Sequence, residues 1–259
     1  MLYKIGNESS IMPEISIITV VRNGREDIEK TILSVICQKN ESIEYIIIDG
    51  ASSDGTVALI EKYSEYIDFW ISEPDSGIYD AMNKGVALAN GKCIALLNCG
   101  DTYFASTLHD VVTEMLKINS RYFLIAGGIS TVDNNGHVRK VLLVNSNSLK
   151  IKFRQMPLHH PAMFISKTIY DDFGTYNTAL SISADYEFVL KILEKDINIS
   201  FIDRSLTKML VGGASDSIKN IFVLLNESYR VRRGHSGVLH CAIFSVKEAL
   251  AFVKSRLFL

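Results

Sequence analysis

Apolar and polar positions along the chain alternate between two periods. Ile15-Ser16-Ile17-Ile18-Thr19-Val20-Val21 is a β-branched run with the pattern of a buried strand. A polar turn, Arg22 to Arg25, follows, and then Ile28, Ile32, Val35 and Ile36 fall on one face of a helix. The cycle repeats. Tyr45 to Ile48 predicts a second strand ending in Asp49, residues 49–55 (DGASSDG) a turn cluster, and Val57, Ile60 and Tyr63 a helix capped by Asp54 or Thr56. Phe69 to Ser72 predicts a third strand. Ile78, Met82, Val86 and Ala89 predict a helix closed at Asn90-Gly91, and residues 92–98 a fourth strand.

Beyond Asp101 the pattern loosens. Leu108 to Leu116 predicts a helix and Tyr122 to Ile129 a strand. Asn135-Gly136, between residues 130–132 and 138–144, predicts a hairpin turn. Residues 184–195 read as a helix, residues 199–202 as a strand, and Ile218 to Tyr229 as a helix that Gly234 breaks. Leu239, Ile243, Val246, Leu250, Val253 and Leu257 then form a heptad-like seam. That seam can pack on its own domain, join two protomers or lie on a membrane, and packing on the domain ranks first.

Strands alternating with helices imply an α/β fold with a mostly parallel sheet and right-handed crossovers, and the hairpin makes the sheet mixed. The first turn is not GxGxxG, which disfavours dehydrogenase-type dinucleotide binding. The chain divides into an extension (1–13), a main domain (14–213) and a C-terminal helical appendage (214–259).

With 259 residues, 47% of them hydrophobic, a full core is available, and a net charge of −2 argues against nucleic acid as a partner. Six basic residues against Glu248 alone in residues 230–259 point to an anionic partner or a solvated helix face. Cys37, Cys93, Cys99 and Cys241 show no CxxC spacing, and are expected to be reduced, mostly buried thiols of a cytoplasmic protein. The N-terminus lacks an apolar h-region and there is no 18-residue uncharged apolar run, so neither a signal peptide nor a spanning helix is expected.

Acids follow the second and fourth strands: Asp49 and Asp101. In a parallel sheet both strand ends face one edge, where open α/β sheets place their ligands. Loop acids, caps and ion-pair partners are the plainer alternative.

Residues 17–23 (IITVVRN), 45–56 (YIIIDGASSDGT) and 83–101 (NKGVALANGKCIALLNCGD), in that order and spacing, resemble the family 2 glycosyltransferases. The variant SEPDSGIYDAMNKG, residues 72–85, resembles the bacterial branch serving exopolysaccharide and O-antigen assembly, including the colanic-acid type. The resemblance is dense over residues 14–104 and sparse over 157–195.

The resemblance implies a GT-A fold, a nucleotide-diphospho-sugar transferase, with an inverting mechanism and a divalent cation, Mn²⁺ or Mg²⁺. It further implies a nucleotide-sugar donor, with a UDP-sugar favoured, and a saccharide acceptor, lipid-linked, in surface polysaccharide biosynthesis. The setting would be cytoplasmic, extending to the inner face of the membrane. Thr19 takes the position that touches base or ribose, and Asp49 that of the acid accepting the uracil N–H, a role that suits an acceptor-only carboxylate. Asp54 serves the ribose or caps a helix. Asn83 and Lys84 would sit near sugar or phosphates, with an exposed helix position equally open to Lys84.

Asp101 is the implied metal ligand. Asn98 and Gly100 stand where many members carry Asp, which should weaken metal affinity. Asn98 can still donate an oxygen or hold a metal-bound water, and Gly100 leaves room for backbone near the phosphates. Asp185 matches the family's base position at the start of a helix, with an N-cap role as its alternative and Glu187 as the fallback base. Adjacent residues on an extended segment point oppositely, so His159 and His160 are unsuited to share one ion; either can line the acceptor pocket or be structural. Asp75, Tyr79 and Asp80 are placed around the donor sugar. Gly212-Gly213 reads as a lid or a turn, and Arg230, Arg232 and Arg233 as pyrophosphate contacts or a solvated helix end. A nucleotidyltransferase, or a non-catalytic sugar-nucleotide-binding partner of an assembly complex, are the rival functions.

Overall fold

A computed structural model describes residues 2–5, 12–211 and 220–236, with only the backbone path for 2–5 and 236. The elements run in the order β1 (Leu2–Ile5), β2 (Ile15–Val21), α1 (Ile28–Ile36), β3 (Ile43–Asp49), α2 (Thr56–Lys62), β4 (Phe69–Ser72), α3 (Ile78–Leu88) and β5 (Cys93–Leu96). Then come β6 (Thr102–Tyr103), α4 (Thr107–Met115), β7 (Phe123–Val132), β8 (Val138–Leu142), β9 (Met163–Ser166), α5 (Lys167–Phe173), α6 (Ala184–Ile192), β10 (Asn198–Leu210) and α7 (Ile221–Ser236).

One mixed sheet carries them, in the order β1-β4-β3-β2-β5-β9-β7-β10-β6, with β8 beside β7. The half built from β4, β3, β2 and β5 is parallel, as βαβ units demand. β9 enters antiparallel to both β5 and β7, and β10 runs parallel to β7. The two-residue period of β2 divides its side chains between two cores. Ile18 and Val20 join Met82 and Val86 of α3 and the inner face of α6, whereas Ile15 and Ile17 join Ile28, Ile32 and Val35 of α1. Each such side chain contributes about 1.5–3 kcal/mol on burial, so neither face of the sheet can be left bare.

Most of the expected elements are present, and the departures have local causes. The last strand spans Asn198–Leu210 instead of 199–202, because bulges against β7 at Ile202, Ser205 and Thr207 break its alternation. β1, β6, β9 and α5 are additional; β6 and β9 are too short to show a period. Gly234 does not break α7, which runs on to Ser236. A single glycine costs a helix only about 1 kcal/mol, and the buried Glu227, Ser228, Val231 and Arg232 hold the turn before it. Cys37 is exposed, contrary to expectation, at the C-terminus of α1, while Cys93 is buried. No described helix is long and apolar enough to cross a membrane. The heptad-like seam from Leu239 to Leu257, Cys241 and Gly212-Gly213 lie outside the described residues.

Candidate active site

Three segments at the carboxyl ends of the parallel strands enclose a cleft of about 480 Å³. The turn after β2 supplies Arg22, Asn23, Gly24 and Asp27, the loop before α3 supplies Asp75 and Gly77, and the end of β5 supplies Asn98 and Cys99. A Cβ on Gly24 would stand 2.5 Å from Cys99 Sγ, so glycine there lets the first turn close on the third segment. Asn23 ties it to the turn after β3: its N–H donates to Ser52 Oγ (2.7 Å) and its Oδ1 accepts from Ser53 N–H (2.9 Å). The N-terminus of the 11-residue α3 opens at Ile78 on the cleft wall, where a helix favours anions. The guanidinium of Arg22 is the cation among the lining residues.

From Asn98 on the cleft wall, a row of four side chains leads to α6. Asn98 Nδ2 lies 2.9 Å from His160 Nε2, and His160 Nδ1 lies 3.6 Å from Asp185 Oδ2. Asp185 Oδ1 accepts from Tyr79 Oη (3.1 Å) and from the Tyr186 N–H (2.8 Å). Tyr79 also donates to the carbonyl of Ile182 (2.5 Å), and burial beside Asp185 raises its phenol far above the usual range, so it remains a donor. Burial lowers His160 below the ordinary imidazole value, opposed by Asp185. A neutral ring with its proton on Nδ1 can accept from Asn98 and face the carboxylate. Asn98 Oδ1 is buried without a hydrogen-bond partner, a polar atom left for a ligand. Asp185 is therefore an oriented, partly exposed carboxylate at the first turn of α6.

The other expected site residues are engaged within the fold. Thr19 is fully buried, and its hydroxyl bonds Tyr45 Oη at 3.1 Å inside the core, so its side chain offers nothing to a base or ribose. Asp49 has no exposed surface; it accepts from Ser52 N–H (2.9 Å), Ser52 Oγ and Ser72 Oγ (2.6 Å), and its carboxylate shapes the turn after β3 instead of standing open to uracil. Asp54 accepts from Thr56 N–H, Thr56 Oγ1 and Arg25 N–H at 3.0, 2.6 and 3.0 Å, the capping alternative to a ribose contact. These donors, Thr56 Oγ1 foremost, hold its carboxyl below the usual carboxylate value.

Asn83 spends its amide on the backbone of Tyr176, 2.8 and 3.0 Å, away from any phosphate. Lys84 pairs with Glu73 (2.9 Å) and Asp80 (3.7 Å) and donates to the Pro74 carbonyl, bracing the loop before α3. Asp80 accepts from Ser76 N–H and Asp75 from Gly77 N–H, both 2.9 Å; of the two only Asp75 lines the cleft. His159 is lowered to about 4, chiefly by burial. Glu187 bonds Asn177 Nδ2 at 3.2 Å. Arg232 is buried, with Nη1 3.1 Å from the Arg154 carbonyl, so it does not reach a pyrophosphate.

Asp101 stands apart from the cleft lining. Its Oδ1 accepts the Leu210 N–H at 3.0 Å, and burial raises its carboxyl to about 7. Gly100 is needed for its left-handed backbone, φ 97°, and a Cβ there would meet the Leu210 side chain, so the expected clearance for phosphates is not its reason. Among the described residues no three His, Cys, Asp or Glu side chains converge as a metal cage. Asp101, with one oxygen committed to Leu210, offers a cation one free carboxylate oxygen. Asp49 ends β3, Asp101 follows β5 and both are buried, whereas Asp185 sits on α6 and is partly exposed. Sequence reasoning passed over Arg22, which it read as turn, and Asn23, whose side chain joins two turns; a polar segment straight after the first strand of a βαβ unit was the available signal.

A mixed sheet flanked by helices, with a cleft across the carboxyl ends of β2 to β5 and a helix N-terminus on its wall, is a GT-A-like architecture. The chain belongs to the family described as glycosyl transferase family 2, which it matches over residues 16–173, more than half its length. An uncharacterized glycosyltransferase of Mycobacterium tuberculosis (strain ATCC 25618 / H37Rv) is 31% identical over 186 residues, 69% of this chain and 68% of the relative. A Bacillus subtilis (strain 168) glycosyltransferase named for teichuronic acid biosynthesis, TuaG, is 33% identical over 108 residues, 40% of this chain and 43% of that protein. Among solved structures, Staphylococcus aureus TarS 1–349 with UDP-GlcNAc superposes with a TM-score of 0.64 at 15% identity, covering 90% of this chain and 71% of that one. The Pyrobaculum calidifontis mannosyltransferase PcManGT, solved with GDP-Man and Mn²⁺, gives 0.64 at 15% identity, covering 98% and 78%. These likenesses show the fold.

Proposed function

We propose that this glycosyltransferase inverts the anomeric centre as it moves a sugar from a nucleotide-diphosphate donor, a UDP-sugar, to a saccharide acceptor carried on a lipid in bacterial surface polysaccharide assembly. The observation that carries the chemistry is Asp185, tied by Tyr79 and Tyr186 on one oxygen and facing His160 with the other. In an inverting displacement the acceptor oxygen attacks the anomeric carbon from the face opposite the nucleoside diphosphate, which departs with the bonding pair. Asp185 takes the acceptor's hydroxyl proton as the new bond forms. Tyr79 keeps the carboxylate pointed at that hydroxyl, and His160 stands 3.6 Å from its second oxygen. The diphosphate is read as lying against Arg22 and the N-terminus of α3, where charge and helix dipole both favour it. The lipid-linked acceptor and the surface-polysaccharide setting rest on the resemblance in the 72–85 segment and on the naming of TuaG.

Melting temperatures measured with UDP-, GDP-, CMP- and dTDP-sugars identify the donor, because a ligand bound by the native state alone raises stability with its concentration over Kd. Asp185→Asn is expected to bind that donor as the unmodified protein does, while transfer falls by about 10²-fold or more. An Asn variant with full activity removes Asp185 from its role.

A further inference from the structure

We infer that Glu227, on the C-terminal helix α7, is a positioning residue for the reaction: its carboxylate fills a cradle of three consecutive backbone N–H groups and so fixes the segment that aims Asp185. The inference rests on the reading of Asp185 as the base.

Glu227 is 6% exposed, a burial that carboxylates tolerate only with strong partners. Its partners are the N–H groups of Ser181 (2.8 Å), Ile182 (2.9 Å) and Ser183 (3.0 Å). Those residues end where α6 begins: Ser183 is its N-cap and Asp185 its second residue. The Ser183 side chain makes no cap bond to α6, so the start of the helix is held from outside, by a residue 44 positions further along the chain. The same segment touches the site once and α7 once more. The Ile182 carbonyl accepts from Tyr79, the phenol that also holds Asp185, and Ser183 Oγ lies 3.4 Å from Ser228 Oγ on α7. Without the Glu227 charge, three amides at a helix entrance lose their acceptor, and the shared Tyr79 contact loses its fixed carbonyl. A shift of about 1 Å at a reacting group is enough to cost about 10²-fold in rate. α7 lies beyond the 16–173 segment that the family match covers, so the match does not account for this residue.

The test compares the full-length protein with Glu227→Ala, Glu227→Gln and Glu194→Gln. Glu194 Oε1 meets His235 Nδ1 at 2.6 Å, a contact between the turn after α6 and α7 that does not touch the cradle. Amide hydrogen exchange over residues 178–190 is expected to accelerate about tenfold or more in Glu227→Ala, and sodium formate, which can occupy the emptied cradle, is expected to restore protection. UDP release with the donor selected above is expected to fall at least about tenfold in kcat, with the donor KM within about twofold, and to be rescued by formate in Glu227→Ala but not in Glu227→Gln. Glu194→Gln is expected to keep the exchange pattern and kcat of the unmodified protein. Unchanged exchange at 181–183 in Glu227→Ala, or a loss of kcat that formate does not recover, overturns the inference. An active Asp185→Asn instead overturns the base assignment, while the exchange result still reports on the Glu227 cradle.

Discussion

At the scale of single residues, an acid after a strand can do opposite jobs, and burial decides which. Asp185 keeps an oxygen toward His160, whereas Asp49 has its carboxylate enclosed by Ser52 and Ser72, and Asp101 is enclosed with no charged partner among the described residues. Burial raises the Asp101 carboxyl from 3.8 to about 7, and the Leu210 N–H pulls the other way. In the unfolded chain the group titrates near 3.8, so between there and about 7 the native state holds a proton that the unfolded state has lost. By linkage, this group makes stability fall as pH rises through that window, by about 4 kcal/mol at its full extent. Asp101→Asn keeps the acceptor for Leu210 and cannot ionise. Its melting temperature is therefore expected to match the unmodified protein near pH 4 and to exceed it at pH 8. A cation that Asp101 helped to hold would reverse the comparison, since Mn²⁺ with UDP would then raise the melting temperature of the unmodified protein alone.

At the scale of elements, the positions that looked ligand-facing on α3 brace the site's walls. Asn83 closes both of its hydrogen bonds on the Tyr176 backbone, and Lys84 draws Glu73, Asp80 and the Pro74 carbonyl together. Asn83→Ala leaves a carbonyl and an N–H of Tyr176 without partners, so it is expected to cost about 1–3 kcal/mol, measurable by urea titration with an unchanged slope. Asn83→Asp, which can satisfy only the N–H, should fall between. The sequence made the parallel half legible because its strands are continuous β-branched runs separated by helices with one apolar face. It placed Asp185, the residue proposed as the base, at the entry of α6. It could not show which oxygens were already taken. Thr19 and Asp49 sit at the expected strand positions, but the partners that occupy them, Tyr45, Ser52 and Ser72, come from a neighbouring strand, an adjacent turn and the end of β4. Nor could spacing reveal β9 or Glu227, because a four-residue strand has no period to read and a capping residue 44 positions away leaves no local trace.

At the scale of the whole molecule, the described part of the C-terminal region belongs to the body of the fold. Val231 packs in the core shared with α6 and α3, Arg232 is fully buried beside the Arg154 carbonyl, and Glu227 closes the cradle before α6. A chain ended at residue 213, the boundary that composition suggests, would uncover that core surface and leave three amides without acceptors. Lost apolar burial and unsatisfied polar groups together come to at least about 4 kcal/mol, which for a chain of this size lowers Tm by about 8–16 °C. Calorimetry of the truncated and full chains checks this, and equal melting temperatures would restore the appendage reading.

The order of strands across the sheet also sets an order in time. Every residue lining the cleft is numbered below 100, and the strands behind it, β2 to β5, pair within the same stretch. The other half is completed only when β10 slots between β7 and β6, and α6 is clamped only once Glu227 has been made. During vectorial synthesis the ribosome therefore releases the cleft wall well before the segment carrying Asp185 has a settled direction, and a nascent chain long enough to shape the cleft is still too short to fasten that segment.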